Sequence, residues 1–390
     1  MTRQTLRMQS VQTPIIPVIG ELIRENPGVI SLGQGVVNYG PPPEVADHIK
    51  TFLADPNNHK YSLVQGISPL LEQIKIKLGA ENQISVDGDS ALMVSAGSNM
   101  AFMNAVLTIT EPGDEIILQT PYYFNHEMAI AIADCHAVSV PTDDNYQLQL
   151  DAIEAAITTK TKAIVTVSPN NPSGAVYPEE SLRAVNTLCR ERELYHIHDQ
   201  AYEYFIYEGV KSFSPGSIQG SAKYTISLFS LSKAYGFASW RIGYMVAPDH
   251  LYESLRKIQD TNLICAPAIS QWAAVGALEA GQDYYMPHVE KLGEVRKMTL
   301  EKLSTLSDFV TVPTPYGAFY CLLRVNTDLN AMTIVERLIR EYKVAVIPGF
   351  TFGLEEGCSL RVAYGAMEMH TVLDGMDRLV NGLRDIYDGL

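Results

Sequence analysis

Lys233 lies in Ser230-Leu231-Ser232-Lys233-Ala234-Tyr235-Gly236, and Trp240-Arg241-Ile242-Gly243 follows shortly after. The apolar run Thr225–Phe229 before it reads as a buried strand, and Ile242–Ala247 after it reads as a second. A lysine on a connection between two interior strands is poorly hydrated. That disfavours the ammonium form and lowers the pKa. A neutral lysine is a nucleophile able to form a Schiff base with a carbonyl. Ser230 and Ser232 add hydroxyls and Arg241 adds a fixed guanidinium fork, a set that suits a phosphate. A lone lysine here would be a solvated loop residue. This one comes with two serines and an arginine at fixed spacing.

Five further stretches carry chemistry-bearing residues. Ser95-Ala96-Gly97-Ser98-Asn99 closes a strand pattern and opens a helical one. Gly97 lets the backbone turn, Ser98 is placed to cap the helix, and the helix start offers free N–H groups to an anion. Pro121-Tyr122-Tyr123-Phe124 puts aromatic faces at a strand end, where they either pack in the core or stack on a flat ring. Ser168-Pro169-Asn170-Asn171-Pro172-Ser173-Gly174 is a turn by composition. In His196-Ile197-His198-Asp199-Gln200-Ala201-Tyr202, the two histidines share one strand face beside an aspartate and suggest a metal, but no further ligand cluster accompanies them. Arg361, in Ser359-Leu360-Arg361-Val362-Ala363, is an arginine in an apolar strand pattern, which is costly unless paired. It is either a clamp for a carboxylate or half of a buried ion pair.

A lysine beside a phosphate clamp is the chemistry of a pyridoxal phosphate (PLP) site. The stretch from Ser230 to Gly243 resembles the lysine signature of the class I/II, aspartate-aminotransferase-like enzymes: Ser-apolar-small-Lys, then Gly-apolar, then Arg-apolar-Gly. Ser239 is the one soft departure. The resemblance extends over essentially the whole chain, because Asn171, Asp199, Lys233 and Arg241 fall in the family's order. It implies that Gly97, Ser98, Asn99, Ser230 and Arg241 hold the PLP phosphate. Tyr123 would stack on the ring, with Tyr122 one residue away as the alternative. Asp199 would keep the pyridine nitrogen protonated. Asn171 and Tyr202 would bind the phenolic oxygen, Lys233 would carry the cofactor, and Asn171 and Arg361 would grip the substrate carboxylate. Gly35 would bring backbone against the substrate. Tyr61 would reach the phosphate of a neighbouring subunit, so the resemblance also implies a homodimer with shared sites.

The implied activity is transfer of an amino group from an L-amino acid (aromatic, aspartate or similar) to a 2-oxo acid such as 2-oxoglutarate, by a ping-pong cycle. Carbon–sulfur β-lyases and aminocyclopropane-carboxylate synthases share the same constellation and are the alternative. A PLP-binding regulatory module fused to a basic DNA-binding domain fits poorly, because the chain starts with the family's own N-terminal segment and is acidic. A nicotinamide dehydrogenase fits less well still: Gly33-Gln34-Gly35 is not followed by a helix start.

The elements that must position these residues follow from the apolar pattern. Short runs at Ala91–Ser95, Glu115–Gln119, Ala137–Val140, Ala163–Ser168, Leu194–His198, Thr225–Phe229 and Ile242–Ala247 alternate with helical patterns such as Asn99–Ile109 and Pro178–Arg192. This α/β alternation predicts a mostly parallel, seven-stranded sheet covered on both faces, with ligands at the strands' carboxyl ends. Pro14, Pro17 and Gly20 suggest that the first segment runs extended over the surface, with a helix from Pro43 to Ala54. A helical pattern from Leu251 to Ala280 leads into a C-terminal region with strands at Gly317–Leu323 and Ser359–Tyr364 and helices at Ala331–Tyr342 and Met369–Leu383. The resemblance implies the PLP-dependent transferase fold type I. Its large domain would span residues 46–280, and a smaller α+β domain would combine residues 1–45 and 281–390.

At 390 residues the chain can bury two sizeable cores, and 46% hydrophobic against 19% charged residues places it among globular proteins. A formal net charge of −15 argues against nucleic acid as a partner. The five cysteines are scattered without paired spacing, which points away from disulfides and zinc and toward a reducing compartment. The start of the chain lacks an apolar signal core, and no stretch is long and apolar enough to span a membrane. A cytoplasmic enzyme is expected.

Overall fold

A computed structural model describes residues 5–389; residues 1–4 and Leu390, parts of the expected smaller domain, lie outside the described residues. All seven apolar runs become strands of one sheet. Its order is Ser90–Ser95, Gly243–Pro248, Thr225–Ser230, Tyr195–Asp199, Thr161–Val167, Glu115–Thr120, His136–Pro141. Gly243–Pro248 runs antiparallel to both its neighbours, and the remaining pairs are parallel.

Side chains alternate across a strand, so a strand that is apolar throughout needs cover on two faces. Ile116 and Leu118 pack with Phe102, Val106, Val165 and Ile197 on one side, whereas Ile117 packs with Ile164, Val185 and Leu188 on the other. Helix Ser98–Ile109 supplies Phe102 and Val106 to the first layer. Helix Glu179–Glu191 supplies Val185 and Leu188 to the second.

A separate antiparallel sheet has the order Ile347–Pro348, Cys358–Ala363, Tyr320–Val325, Val310–Thr311. Helices Ala331–Tyr342 and Met369–Asp388 bury Ile334, Leu338, Val372 and Leu379 in the same core. Ile30–Ser31 pairs in parallel with Val344–Ala345, which ties the N-terminal segment to this C-terminal region.

Three expectations are corrected. The first segment is not extended throughout: Ile15–Glu25 is a helix. Pro17 is its third residue, where an N–H has no intrahelical partner to lose, and Ile15 and Ile19 are buried one turn apart. The Leu251–Ala280 pattern is two helices, Tyr252–Asn262 and Ala268–Ser304. Pro267 disfavours the helical region for Ala266 and lacks a donor of its own, and Ile264 sits at φ 67°, so the chain breaks between the two helices. The second helix is itself interrupted at Gly281 (φ 56°, ψ −147°). The strand expected from Gly317 starts at Tyr320 instead: Gly317 bridges to Ile206, and Ala318 sits in the left-handed region at φ 55°.

Candidate active site

The sequence motifs converge at one edge of the large sheet. Five lie at the carboxyl ends of strands, and Arg241 enters the same edge because Gly243–Pro248 runs antiparallel. There they enclose a cavity of about 90 Å³ lined by Ser98, Asn99, Tyr123, Asn171, Asp199, Tyr202, Ser230, Ser232, Lys233 and Arg241.

Lys233 donates to the carbonyl of Gly35 at 2.7 Å. Burial pushes its amine down to about 8, with help from the charges of Arg361 and Arg241. Arg241 adopts φ 56°, an uncommon conformation for a side-chain-bearing residue. Its guanidinium bonds the carbonyls of Ala238 and Ala96 at 2.9 and 3.3 Å. A Cβ on Gly97 would lie 2.3 Å from Arg241 Nη2, so the bare glycine lets the guanidinium settle against the helix start. Gly97 itself, at φ 82°, is the N-cap of helix Ser98–Ile109, and no side chain caps it. The expectation that Ser98 caps the helix is therefore corrected: the left-handed glycine makes the turn, and Ser98 becomes the first helical residue on the cavity wall.

At the opposite end the buried Asp199 accepts from the N–H of Ala201 at 2.9 Å. Its Oδ2 lies 3.2 Å from Nε2 of buried His126, off the line a hydrogen bond needs. His126 stacks on Phe102 at 3.9 Å and meets Tyr123 edge-on. Tyr123 lines the cavity and accepts from Asn125 Nδ2 at 2.8 Å. Tyr122 packs over Gly353 and belongs to a different surface groove.

The same space continues into a second cavity of about 420 Å³, lined by Ile16, Gly35, Val36, Phe124, Asn125, Tyr320 and Arg361. Tyr123, Asn171, Tyr202 and Lys233 form the wall between the two. Arg361 is 2% exposed. Its Nη1 donates to Asn171 Oδ1 at 2.9 Å, its Nη2 to the Gly33 carbonyl at 2.6 Å, and its Nε is buried without a partner. Both of its partners are neutral carbonyls, so the guanidinium is held in place without being neutralised, as a docking point for a carboxylate requires.

One expected residue is not brought here. Tyr61 is 81% exposed and lines an outer groove with Leu63 and Trp272. The two strand histidines are buried and bond a single hydroxyl, Thr166 Oγ1, at 2.8 and 2.7 Å. Burial depresses His196 to about 3, and His198 also falls well below its ordinary value, so both stay neutral. No group of potential metal ligands occurs among the described residues. Sequence reasoning missed His126 and Tyr320. His126 follows Tyr123 by three residues at a helix start, a spacing that puts both on one face and could have flagged it.

The chain matches the family "Aminotransferase class I and II" over residues 27–379. It is 30% identical to aromatic-amino-acid aminotransferase 2 of Thermococcus litoralis over 97% of this chain and 98% of that one. It is 32% identical to aspartate aminotransferase of Pyrococcus abyssi over 92% of each. Among solved structures, a mutant aspartate aminotransferase of Thermus thermophilus superposes with a TM-score of 0.90 at 29% identity, covering 98% of this chain and 100% of that one. The aromatic aminotransferase of Pyrococcus horikoshii gives 0.86 at 29% identity, covering 95% and 99%. With this fold and these relatives, the chain belongs to the class I/II aminotransferases, and it is a PLP-dependent amino acid aminotransferase of fold type I. Nothing in these relatives favours the lyase alternative.

The residues present fit PLP. The depressed amine of Lys233, the guanidinium of Arg241 seated against the bare Gly97 and the buried carboxylate of Asp199 belong to residues that line one cavity.

Proposed function

We propose that this aminotransferase takes its amino group from a bulky neutral amino acid, aromatic above all, and passes it to a 2-oxo acid such as 2-oxoglutarate. The observation that carries this is the larger cavity. Arg361 and Lys233 border it, and Ile16, Val36, Phe124 and the ring of Tyr123 give it an apolar and aromatic face beside the polar Gln34 and Asn125. A carboxylate held at Arg361 leaves the substrate side chain against apolar and aromatic surface, where burial favours a large neutral group. Relatives are named both for aromatic amino acids and for aspartate or prephenate, so the choice of donor rests on the cavity lining.

Within that reading each residue has a task. Gly97, Ser98, Asn99, Ser230 and Arg241 would hold the phosphate, and Tyr123 would lie against the ring. Asp199 would keep a proton on the ring nitrogen, while Asn171 and Tyr202 would bond the phenolic oxygen. PLP, when bound, supplies the conjugated ring that accepts the electron pair released at the substrate Cα. Arg361 and Asn171 would fix the α-carboxylate and so orient the Cα–H bond. The Lys233 amine, brought down to about 8 by burial, would take that proton and return it. The active unit would be a homodimer, with the exposed Tyr61 reaching a neighbour's phosphate. The five unpaired cysteines fit a reducing compartment such as the cytoplasm. No described helix is long and apolar enough to cross a membrane.

The test is the near-visible absorbance of the holoenzyme after adding single amino acids without a 2-oxo acid. Phenylalanine or tyrosine should bleach the band and release one equivalent of the matching 2-oxo acid. Strong turnover of aspartate beside near-zero turnover of aromatic amino acids would overturn the donor assignment. Ammonia or thiol accumulating under a persistent band would overturn transamination.

A further inference from the structure

Tyr320 opens the strand Tyr320–Val325 of the smaller sheet, and its side chain is wholly buried. Its hydroxyl lies 2.6 Å from that of Tyr202, which follows the end of a large-sheet strand, so one hydrogen bond joins the two sheets inside the site. The rings meet edge to face at 5.4 Å. A Cβ on Gly35 would come within 2.4 Å of the Tyr320 hydroxyl, so the bare backbone of the 33–35 segment closes over it. The Arg361 guanidinium lies 4.8 Å from the centre of the Tyr320 ring.

Either hydroxyl can donate, and the surrounding charges bias the choice. Burial raises both phenols. Arg361, next in weight to burial at Tyr320, lowers it and leaves it at about 12, whereas Tyr202 is pushed well above its ordinary value by burial and by Tyr320 itself. The other ionisable groups facing the pair are Tyr123 and Lys233, the latter 5.5 Å from the centre of the Tyr202 ring. The positive charge of Arg361 over its ring favours Tyr320 as the donor. A hydroxyl that accepts one hydrogen bond becomes a stronger donor in the next.

We propose that Tyr320 is a positioning residue that donates to the Tyr202 hydroxyl, so that Tyr202 turns its own proton to the phenolic oxygen of bound PLP and binds it more strongly. This rests on the PLP site described above. A stronger donor stabilises negative charge on that oxygen, which lowers the pH midpoint of the bound cofactor's near-visible band.

The experiment titrates that band in the wild-type holoenzyme, in Tyr320→Phe, in Tyr202→Phe and in the double variant. Loss of one neutral hydrogen bond predicts an upward shift of roughly half to one pH unit for Tyr320→Phe. Because the two residues act in series, the double variant should shift no further than Tyr202→Phe alone. Replacing Tyr320 with 3-fluorotyrosine, a stronger donor of nearly the same shape, should move the midpoint down, and this holds the test if Tyr320→Phe fails to load. If Tyr202→Phe shifts the band while both changes at 320 leave it at the wild-type value, the proposal is wrong and the site stands. If the wild type shows no band, or Tyr202→Phe leaves it unmoved, the site reading fails and the proposal with it.

Discussion

At Lys233 the decisive effect is loss of hydration, and it has a measurable consequence in the cofactor-free protein. An ordinary lysine is almost fully protonated at pH 8, whereas burial brings Lys233 to about 8, so that half of it is neutral there. The shift is downward for a base, so the reactive form grows as pH rises and saturates above the depressed value. Trapping of PLP by the cofactor-free protein, followed as the mass gained after borohydride reduction, should therefore accelerate about tenfold per pH unit below 7 and level off above roughly 8.5. A rate that still climbs tenfold per unit at pH 9.5 would show the amine to be unperturbed. Most of the residues that meet at the cavity were legible because their motifs lie at the ends of large-sheet strands. Their partners were less so. A period of two places His196 and His198 on one face whether they bind a metal or a hydroxyl, and the hydroxyl of Thr166 on the neighbouring strand, which both rings meet, was not legible. Likewise the pattern around Arg361 could not show that its partners are two neutral carbonyls in place of a carboxylate, because both come from distant segments.

The elements show where local pattern suffices and where packing overrides it. Strands buried on both faces announce themselves as unbroken apolar runs, and all seven of the large sheet were found with ends within about two residues. The N-terminal helix was missed because Pro14, Pro17 and Gly20 read as loop punctuation. Tertiary contact at Ile15 and Ile19 outweighs that local signal. The two faces of this helix should separate in mutation. Ile19 is 2% exposed, so Ile19→Ala should cost about 2–5 kcal/mol in urea unfolding. Ile16 is exposed and lines the cavity proposed for the substrate, so Ile16→Ala should change stability by less than about 0.5 kcal/mol. The same change should raise KM for an aromatic donor about fivefold, the worth of roughly 1 kcal/mol of lost apolar contact. Equal effects on stability at the two positions, or an unchanged KM for Ile16→Ala, would show that the helix does not wall the site.

For the whole molecule the informative residue is the one that the single chain leaves outside. Tyr61 is 81% exposed, in a groove with Leu63 and Trp272, while the other expected cofactor contacts border one cavity, apart from Gly97, which packs against Arg241 beside it. In the proposed homodimer, a second subunit over this face would cover Tyr61 together with the exposed Leu63. If each site takes Tyr61 from its neighbour, Tyr61→Phe and Lys233→Ala should complement in a mixed dimer. Tyr61→Phe homodimers should bind PLP at least tenfold more weakly, because a hydrogen bond to a charged phosphate contributes about 1.5–3 kcal/mol. Lys233→Ala homodimers should form no covalent adduct. In the heterodimer made by co-expression with two different tags, one site combines the intact lysine of the first chain with the intact tyrosine of the second. That site should bind one PLP per dimer with wild-type affinity. If the heterodimer's single lysine-bearing site binds as weakly as the Tyr61→Phe homodimer, Tyr61 acts within its own chain. The shared-site architecture would then be wrong, even though the dimer itself could persist.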